Sequence, residues 1–490
     1  MSAPVEVETL ALVNELSGAL AGTPHVDELR AIEARLTGPL RIAIAGRVKA
    51  GKSTLLNALV GARLAPTDAG ECTKIVSWYK RGPTYQVIAR GRDGQEHPLG
   101  FSRGNGNLDV QLGGHSEKDI AAIEVSVPTT ALESITLIDT PGLASINDEN
   151  SRRTRDFLAS DGDGPSDADA VVYLMRHAHR TDVAFLDAFM DRTVSAASPV
   201  NAVAVLSRAD EIGAGRLDAM ESAGRIARRY ETDPELHALC AAITPMAGLL
   251  AETGLTLRED EVASLRTLAA TDPAVLELML MSADQFCDVS SSELTAESRR
   301  GLLDRLGMFG VRLSVEEIRA GRGTTAAQLG PILVDKSGLA AMRQLIARQF
   351  MPRAKVLQAR SAIVALRTLA WSLRAEHPTL AGEVDRQLEE IESSTVQFAQ
   401  VRAAHLVGSG AVRFNATDRA DLEQLFAPAG GPSALGLAVN AGQDEVREAA
   451  LAAVSRWRTR GADPLADPTL TEVCDIAART CEAMYAASLA

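Results

Sequence analysis

One glycine-rich segment has the composition needed to bind phosphate. GRVKAGKS at residues 46–53 matches the pattern G-x-x-x-x-G-K-[ST], with an apolar strand predicted over 40–45 and a helix over 52–60. Backbone N–H groups of such a loop curl around phosphate oxygens, and the helix N-terminus adds partial positive charge. Lys52 is expected to reach the β- and γ-phosphates, and the Ser53 hydroxyl to ligate Mg²⁺. We assign nucleotide binding to Gly46, Ala50, Gly51, Lys52, Ser53 and Thr54.

A second motif, DTPG at residues 139–142, ends the strand predicted over 135–138 and lies 87 residues after Lys52. A carboxylate at the C-terminal end of such a strand can hold Mg²⁺ through water. We therefore assign Asp139 to the metal together with Ser53, and the backbone N–H of Gly142 to the γ-phosphate. The D-x-x-G pattern is weak alone, but its position after a phosphate-binding loop makes it specific.

A third motif, SRAD at residues 207–210, follows the strand predicted over 202–206 and indicates the base. The Asp210 carboxylate can accept hydrogen bonds from guanine N1–H and N2–H₂, which adenine does not offer in that geometry. The aliphatic stem of Arg208 can cover the purine face, and Ser207 begins the motif. The predicted substrate is therefore GTP, with GDP as product.

Two further assignments complete the predicted pocket. Thr73, within ECTK at 71–74, is assigned as the catalytic and metal-contacting threonine that closes on Mg²⁺ when the γ-phosphate is present. Thr67, a few residues earlier, is its competitor. The segment 244–248, at the end of the last predicted strand, occupies the place of a base-contacting loop, although its composition is barely diagnostic.

The elements that must position these motifs change character along the chain. Short apolar strands alternate with helices up to about residue 248, which predicts an α/β P-loop GTPase domain with a mostly parallel sheet. Residues 91–118, rich in Gly, Asp and Asn, are predicted to be a surface insertion. Helical periodicity then takes over and predicts an α-helical bundle. The predicted divisions are 1–38 (helices joining the bundle), 39–255 (GTPase domain) and 256–490 (bundle).

The amino-acid composition argues against several classes of protein. The 490 residues carry a formal net charge of −14 and are 46% apolar, which argues against disorder and against general nucleic-acid binding. The sequence shows neither a run of about 20 apolar residues nor the basic start of a signal peptide. Five cysteines without metal-ligand spacing favour reduced thiols. We expect a cytoplasmic protein with no nucleic-acid partner.

The order and spacing of the motifs resemble the dynamin superfamily of large GTPases and, more narrowly, the mycobacterial isoniazid-inducible dynamin-like proteins. The resemblance rests on PLRIAIAG (39–46), KAGKSTLLNALVG (49–61), APTD (65–68), ECT (71–73), SRADEIGAG (207–215) and FGVRLS (309–314). It implies a GTPase head on a helical stalk, with GTP as substrate and Mg²⁺ as cofactor. It also implies heads that pair, as a homodimer or with a related isoniazid-inducible partner, and peripheral work at the inner face of the plasma membrane.

The chain departs from the broader family at the positions that orient water. Leu143 stands where many small GTPases carry Gln, and Val48 and Lys49 stand where dynamins carry a Gln-Ser pair and bind a monovalent cation. Intrinsic hydrolysis is therefore expected to be slow. Lys49 is a candidate catalytic residue whose ammonium could act in place of that cation, but it could equally face solvent. Whether a monovalent cation assists stays open.

Three functions fit these observations. The first is a dynamin-like GTPase that pairs through its heads to remodel or tether membrane. The second is a slow GTP-dependent switch or scaffold whose stalk binds a protein partner. The third, a GTPase acting on RNA, ranks lowest because residues 350–490 contain no basic block. A lipid-binding tip would separate the first two; the one candidate stretch is 406–414, for which an ordinary interhelical loop is the favoured interpretation.

Overall fold

The structure, a computed structural model, describes residues 4–65, 75–104, 107–141, 167–177, 201–231, 233, 236, 240–288, 293–394, 396–408, 412–427, 430–463 and 467–489. Within these residues the strands are β1 Leu40–Gly46, β2 Val76–Arg81, β3 Gln86–Gly91, β4 Glu96–Pro98, β5 Gly100–Gly104, β6 Asn107–Gln111, β7 Ile120–Val127, β8 Ile135–Asp139, β9 Ala170–Met175, β10 Ala202–Ser207 and β11 Ile243–Met246.

The α-helices of the same residues begin with α1 Val5–Ala19, α2 His25–Thr37, α3 Lys52–Val60 and α4 Ala219–Glu231. The central group is α5 Gly248–Leu255, α6 Glu259–Ala270, α7 Pro273–Met279, α8 Ala283–Asp288, α9 Ala296–Arg319, α10 Ala326–Lys336 and α11 Leu339–Gln349. The last group is α12 Ala354–Leu373, α13 Pro378–Ser394, α14 Val396–Gly408, α15 Ala416–Leu425, α16 Gln443–Gly461 and α17 Pro468–Ala487.

Nine strands form one sheet in the order β11-β10-β9-β1-β8-β2-β7-β3-β4. β1 pairs in parallel with β8 and β9, and β10 pairs in parallel with β9 and β11. β9 and β10 are buried along their whole length, as expected for central strands covered on both faces. Among the described strands of this sheet, β2 pairs antiparallel with β8, and β3 pairs antiparallel with β7 and β4, while β5 and β6 form a separate antiparallel pair. The predicted mostly parallel sheet followed by helices is confirmed.

The carboxyl ends of β1, β8, β9 and β10 all lie at one edge of the sheet because these strands are parallel. The glycine-rich loop follows β1, the DTPG motif follows β8, and the SRAD motif follows β10. The topology therefore brings three motifs that are far apart in sequence to the same edge, where open α/β sheets bind their ligands.

A late helix returns to cover the sheet beside α3. Leu55 of α3 and Leu339 and Met342 of α11 belong to one buried core. Arg343 of α11 donates from Nη2 to the carbonyls of Ala58 at 3.1 Å and Leu59 at 3.3 Å, near the C-terminal end of α3. A cation at that end is favourable because the last helical carbonyls carry partial negative charge.

Helices α5 and α10 cross at two glycines. A Cβ built on Gly254 would lie 2.8 Å from the Gly330 carbonyl oxygen, and a Cβ on Gly330 would lie 2.6 Å from the Gly254 oxygen. Either distance is far inside van der Waals contact, so the two backbones touch without side chains between them.

The N-terminal helices pack away from the sheet. Leu12 and Leu16 of α1 and Leu29 of α2 share a buried core with Ile363 and Leu366 of α12. The junction with the sheet is polar. Lys355 Nζ donates to the Leu36 carbonyl at 2.9 Å, and Gln358 Nε2 donates to the Gly38 carbonyl at 2.8 Å. The division of the chain at residues 38 and 255 stays a prediction.

A buried ion pair also fastens α2 to the sheet. Arg35 Nε donates to Asp169 Oδ1 at 2.8 Å, and the other carboxylate oxygen accepts from the Arg41 backbone N–H at 2.9 Å. The Arg35 side chain is 5% exposed and that of Asp169 is fully buried. Each charge therefore depends on the other for compensation.

Some sequence expectations differ from the structure. The predicted surface insertion 91–118 contains β4, β5 and β6, and Leu99 and Leu108 within it are buried in the sheet core. The helical pattern of the sequence predicts two helices here, over 295–306 and 314–320, but the structure contains one helix, α9, interrupted at Gly307. The helices predicted near 151–158 and 182–192 lie outside the described residues.

The stretch 406–414 does not expose its described apolar side chains. Val407 and Val412 are buried in the core formed by α14 to α17, and Leu406 and Phe414 pack against that core. Residues 409–411 lie outside the described part. Among the helices that the structure describes, none has both the length and the apolar content needed to cross a bilayer.

We expect Arg35→Met and Asp169→Asn each to lower the free energy of unfolding by about 3–5 kcal/mol, because each removes one charge of a buried ion pair. The matched control is the exposed pair Arg30–Asp27, 2.9 Å apart, where Arg30→Met should change stability by about 0.5 kcal/mol or less. Urea denaturation measures both. Equal losses in Arg35→Met and Arg30→Met would contradict the assignment.

Candidate functional site

Two glycines allow the loop between β1 and α3 to form. Gly46 has φ of 145°, and a Cβ there would lie 2.4 Å from the Leu174 carbonyl oxygen of β9. Gly51 has φ of 93° and immediately precedes the first turn of α3. Both positions require glycine, one for close approach and the other for its left-handed backbone. The predicted strand–loop–helix unit is present.

Lys52, the first residue of α3, turns its side chain into the loop. It is 8% exposed, and its Nζ donates to the carbonyls of Gly46 at 3.2 Å and Arg47 at 3.3 Å. Burial lowers the pKa of Lys52, and the nearby Asp139 carboxylate partly offsets that effect. A phosphate at the loop would give this ammonium the negative partner that its burial calls for.

The side chain of Ser53, at the start of α3, contacts Asp139 at the end of β8. Ser53 Oγ donates to Asp139 Oδ2 at 2.8 Å, while Asp139 Oδ1 is buried without a hydrogen-bond partner among the described residues. Burial raises the pKa of Asp139, against the opposing effects of Lys52 and the Ser53 hydrogen bond. A hydroxyl oxygen beside a carboxylate with an unused buried oxygen is a donor set that fits Mg²⁺.

The strand end that carries Asp139 is held by its neighbour. Thr140 is buried, and its Oγ1 donates to the Ile44 carbonyl of β1 at 2.9 Å. This bond fixes the DTPG motif against the strand that leads into the glycine-rich loop. Sequence reasoning missed Thr140, although a polar residue between a metal-binding carboxylate and a proline could have drawn attention to it.

On the other side of β1, the SRAD motif leaves β10 in a tight turn. Ser207 Oγ donates to the Met175 carbonyl at 3.2 Å, and Arg208 adopts φ of 53°. Arg208 Nη1 pairs with Glu211 Oε1 at 2.7 Å, and Arg176 pairs with the same carboxylate. Asp210 is 6% exposed, and burial raises its pKa to about 6.

One cavity of about 120 Å³ joins the phosphate-binding loop to the SRAD motif. It brings together these residues assigned from the sequence: Ala50, Gly51, Thr54, Ser207, Arg208 and Asp210. Met246 and Gly248, from the predicted base-contacting loop, line it as well. Sequence reasoning missed its other walls, because none of them belongs to a recognised motif: Leu55, Leu174, Val205, Glu211 and Leu249.

The remaining assigned residues fall into two groups. Lys49 is exposed and adopts φ of 62°, and Val48 beside it is half exposed. Thr73, its competitor Thr67, Gly142 and Leu143 lie outside the described residues, so their roles stay predictions.

A buried polar network, which sequence reasoning also missed, holds the chain just before the segment that contains Thr67 and Thr73. Asn57 Oδ1 accepts from the backbone N–H groups of Leu64 and Ala65, both at 2.8 Å. Its Nδ2 lies 3.4 Å from Glu252 Oε2, and Glu252 pairs with Arg63 at 2.5 Å. The network ties α3 and α5 to residues 63–65, immediately before the segment that contains Thr67 and Thr73.

Comparison with known proteins identifies the family of this chain. Residues 42–193 match the Dynamin family. The isoniazid-induced protein IniC of Mycobacterium tuberculosis is 39% identical over 462 residues, which cover 94% of this chain and 92% of IniC. Isoniazid-induced protein IniA of the same species is 29% identical over 30% of this chain and 23% of IniA.

A bacterial dynamin-like protein of Nostoc punctiforme is 29% identical over 148 residues, which cover 28% of this chain and 21% of that protein. These shorter similarities span no more than a third of this chain, whereas the similarity to IniC extends over nearly all of both chains. The chain therefore belongs to the bacterial dynamin-like GTPase family.

Proposed function

We propose that this protein binds Mg–GTP in the cavity between its glycine-rich loop and SRAD motif, hydrolyses it slowly, and pairs through its GTPase heads to remodel or tether membrane. One observation carries the nucleotide part of the proposal. A phosphate-binding loop and a buried carboxylate suited to guanine line the same cavity, although they are more than 150 residues apart in the sequence.

The chain's own residues divide the work of binding. The loop residues that line the cavity, Ala50, Gly51 and Thr54, and the Lys52 ammonium beside them would surround the phosphates, and Asp210 would accept hydrogen bonds from guanine. Ser53 and Asp139 would hold Mg²⁺, with Thr73 completing the shell when the γ-phosphate is present. When bound, the metal neutralises charge between the β- and γ-phosphates. The Gly142 N–H is assigned to the γ-phosphate.

Slow hydrolysis follows from the side chains near the expected position of water. Val48 and Leu143 cannot orient water through a polar group. The Lys49 side chain starts from a left-handed backbone on the exposed side of the loop, where a second GTPase head or a monovalent cation could reach it. We propose that Lys49 contributes positive charge only once two heads have met.

The membrane part of the proposal rests on family membership. The described apolar residues of 406–414 are buried or packed against the core of the last helices, which favours the second function, a GTP-dependent switch or scaffold whose stalk binds a protein partner. For pairing, the proposed partner is a second copy or a related isoniazid-induced protein.

Vesicle sedimentation tests the proposal. Protein should sediment with vesicles of anionic phospholipid more strongly with GTP than without nucleotide, and turnover per molecule should rise with protein concentration. Lys52→Ala should lower GTP affinity by about a hundred-fold, because the phosphates lose their buried cation. The variant should then show neither the GTP-dependent sedimentation nor the rise of turnover with protein concentration. Lys118→Ala removes the same charge from an exposed position and should behave as wild type. Nucleotide binding without sedimentation would favour the scaffold.

Asp210→Asn tests the base assignment. The change replaces one acceptor oxygen with a donor NH₂, so GTP affinity should fall by about ten-fold or more, and xanthosine triphosphate should recover binding. The exposed carboxylate of Asp218 provides the control, since Asp218→Asn should change neither the affinity for GTP nor that for xanthosine triphosphate. Equal binding of ATP and GTP by the wild type would make the guanine assignment wrong.

The same substitution should alter stability in a pH-dependent way. Because burial raises the pKa of Asp210 from 3.8 to about 6, the folded protein holds this proton more tightly than the unfolded chain, and stability falls as pH rises through that window. Nucleotide-free Asp210→Asn should therefore unfold a few degrees above wild type at about pH 7.5, and the difference should shrink towards about pH 4. Thermal unfolding at both pH values measures it.

Substitutions at Lys49 separate charge from backbone conformation. Lys49→Ala and Lys49→Gly both remove the ammonium, but only glycine accepts φ of 62° without strain. If the charge acts in the transition state, both variants should lower turnover by about ten-fold with GTP affinity retained. Activation of wild type on exchanging sodium for potassium, with little loss in either variant, would instead identify a bound cation.

A further inference from the structure

The loop after Asp210 has an unusual backbone. Gly213, Ala214 and Gly215 follow one another with φ of 63°, 59° and 70°. Ala214 carries a Cβ, and residues other than glycine rarely adopt this conformation. Such a conformation persists only where the surrounding structure holds it. The loop joins the SRAD motif to α4, so its shape affects where Asp210 lies.

Arg312 of α9 holds the loop in this conformation. Its Nη1 donates to the carbonyls of Ala214 at 2.7 Å and Gly215 at 2.5 Å, while Nη2 donates to the carbonyl of Leu280, just after α7. One planar guanidinium thus bridges the left-handed loop, α7 and α9. Arg312 belongs to the FGVRLS stretch of residues 309–314, to which the nucleotide site assigns no role.

The same helix approaches the loop at two more points. A Cβ built on Gly215 would lie 3.0 Å from the Phe309 backbone nitrogen, so loop and helix are in backbone contact. Gly307, which interrupts α9 with φ of 63° and ψ of 176°, lies close to the carboxylate itself: a Cβ there would be 3.5 Å from Asp210 Oδ2. Helix α9 therefore supports both the carboxylate and the loop that follows it.

We infer that Arg312 is a positioning residue for guanine recognition. By bonding the Ala214 and Gly215 carbonyls, it keeps the loop in its left-handed form and the Asp210 carboxylate aimed at the cavity. The inference rests on the proposed function, because it requires Asp210 to bind guanine. A residue that only stabilised the junction of α7 and α9 would affect unfolding but not the choice of base.

Affinities for GDP and inosine diphosphate test this role, since inosine lacks the exocyclic amino group that donates to Asp210. In the full-length wild type GDP should bind more tightly. Arg312→Ala should lower GDP affinity by about ten-fold while changing inosine diphosphate affinity much less, so that the preference shrinks. Arg312→Lys, which keeps the charge and some donors, should recover part of it.

Arg319 is the matched control on the same helix. It donates to the carbonyls of Ala269 at 2.9 Å and Thr271 at 2.8 Å, far in sequence from the base loop. Arg319→Ala should retain the full preference for GDP, whatever its effect on unfolding temperature. An unchanged preference in Arg312→Ala, or an equal loss in Arg319→Ala, would overturn the inference.

Two outcomes keep the test decisive. If Arg312→Ala does not fold, Arg312→Lys takes its place, because one ammonium cannot reproduce the planar fork that reaches three carbonyls. A wild-type preference in Arg312→Lys then contradicts the positioning role. If the wild type itself shows no preference for GDP over ADP, the proposed function fails, and that result is distinct from a failure of Arg312.

Discussion

Two buried opposite charges set the constraint around which the pocket is built. Burial lowers the pKa of Lys52 and raises that of Asp139, so each charge is costly alone and each partly offsets the other. Each charge already makes hydrogen bonds within the protein. Ser53 donates to one oxygen of the Asp139 carboxylate, and the Lys52 ammonium donates to two loop carbonyls. In the proposed function, phosphates and Mg²⁺ would supply the remaining charge at the point where β1, α3 and β8 meet.

The parts of the site that sequence predicts are those whose chemistry dictates residue type. Gly46 must be glycine because Leu174 leaves no room for a side chain, and the SRAD motif follows a strand that is apolar because it is buried on both faces. Such constraints leave a signature along a continuous stretch of chain. They predict the sheet and the glycine-rich loop correctly, whereas the assignment of Asp210 to guanine and the roles of Lys49, Thr73 and Gly142 stay predictions.

What sequence could not predict depends on contacts between distant segments. Nothing in the composition of 91–118 distinguished a surface insertion from strands whose Leu99 and Leu108 are buried in the sheet core. The return of α11 to the sheet and the reach of Arg343 to the end of α3 depend on packing across nearly 300 residues. The kink at Gly307 was equally hidden, because an isolated glycine in a helical pattern is usually tolerated.

The glycine crossing of α5 and α10 has a mechanical consequence. Moving α5 along α10 by one turn would bring a side chain, that of Leu250, to a point where even a single carbon does not fit. Sliding is therefore blocked, and α5, whose first residue Gly248 lines the cavity, is held rigidly against α10. We therefore expect α5 and α10 to move together, as one body, in any rearrangement of this region.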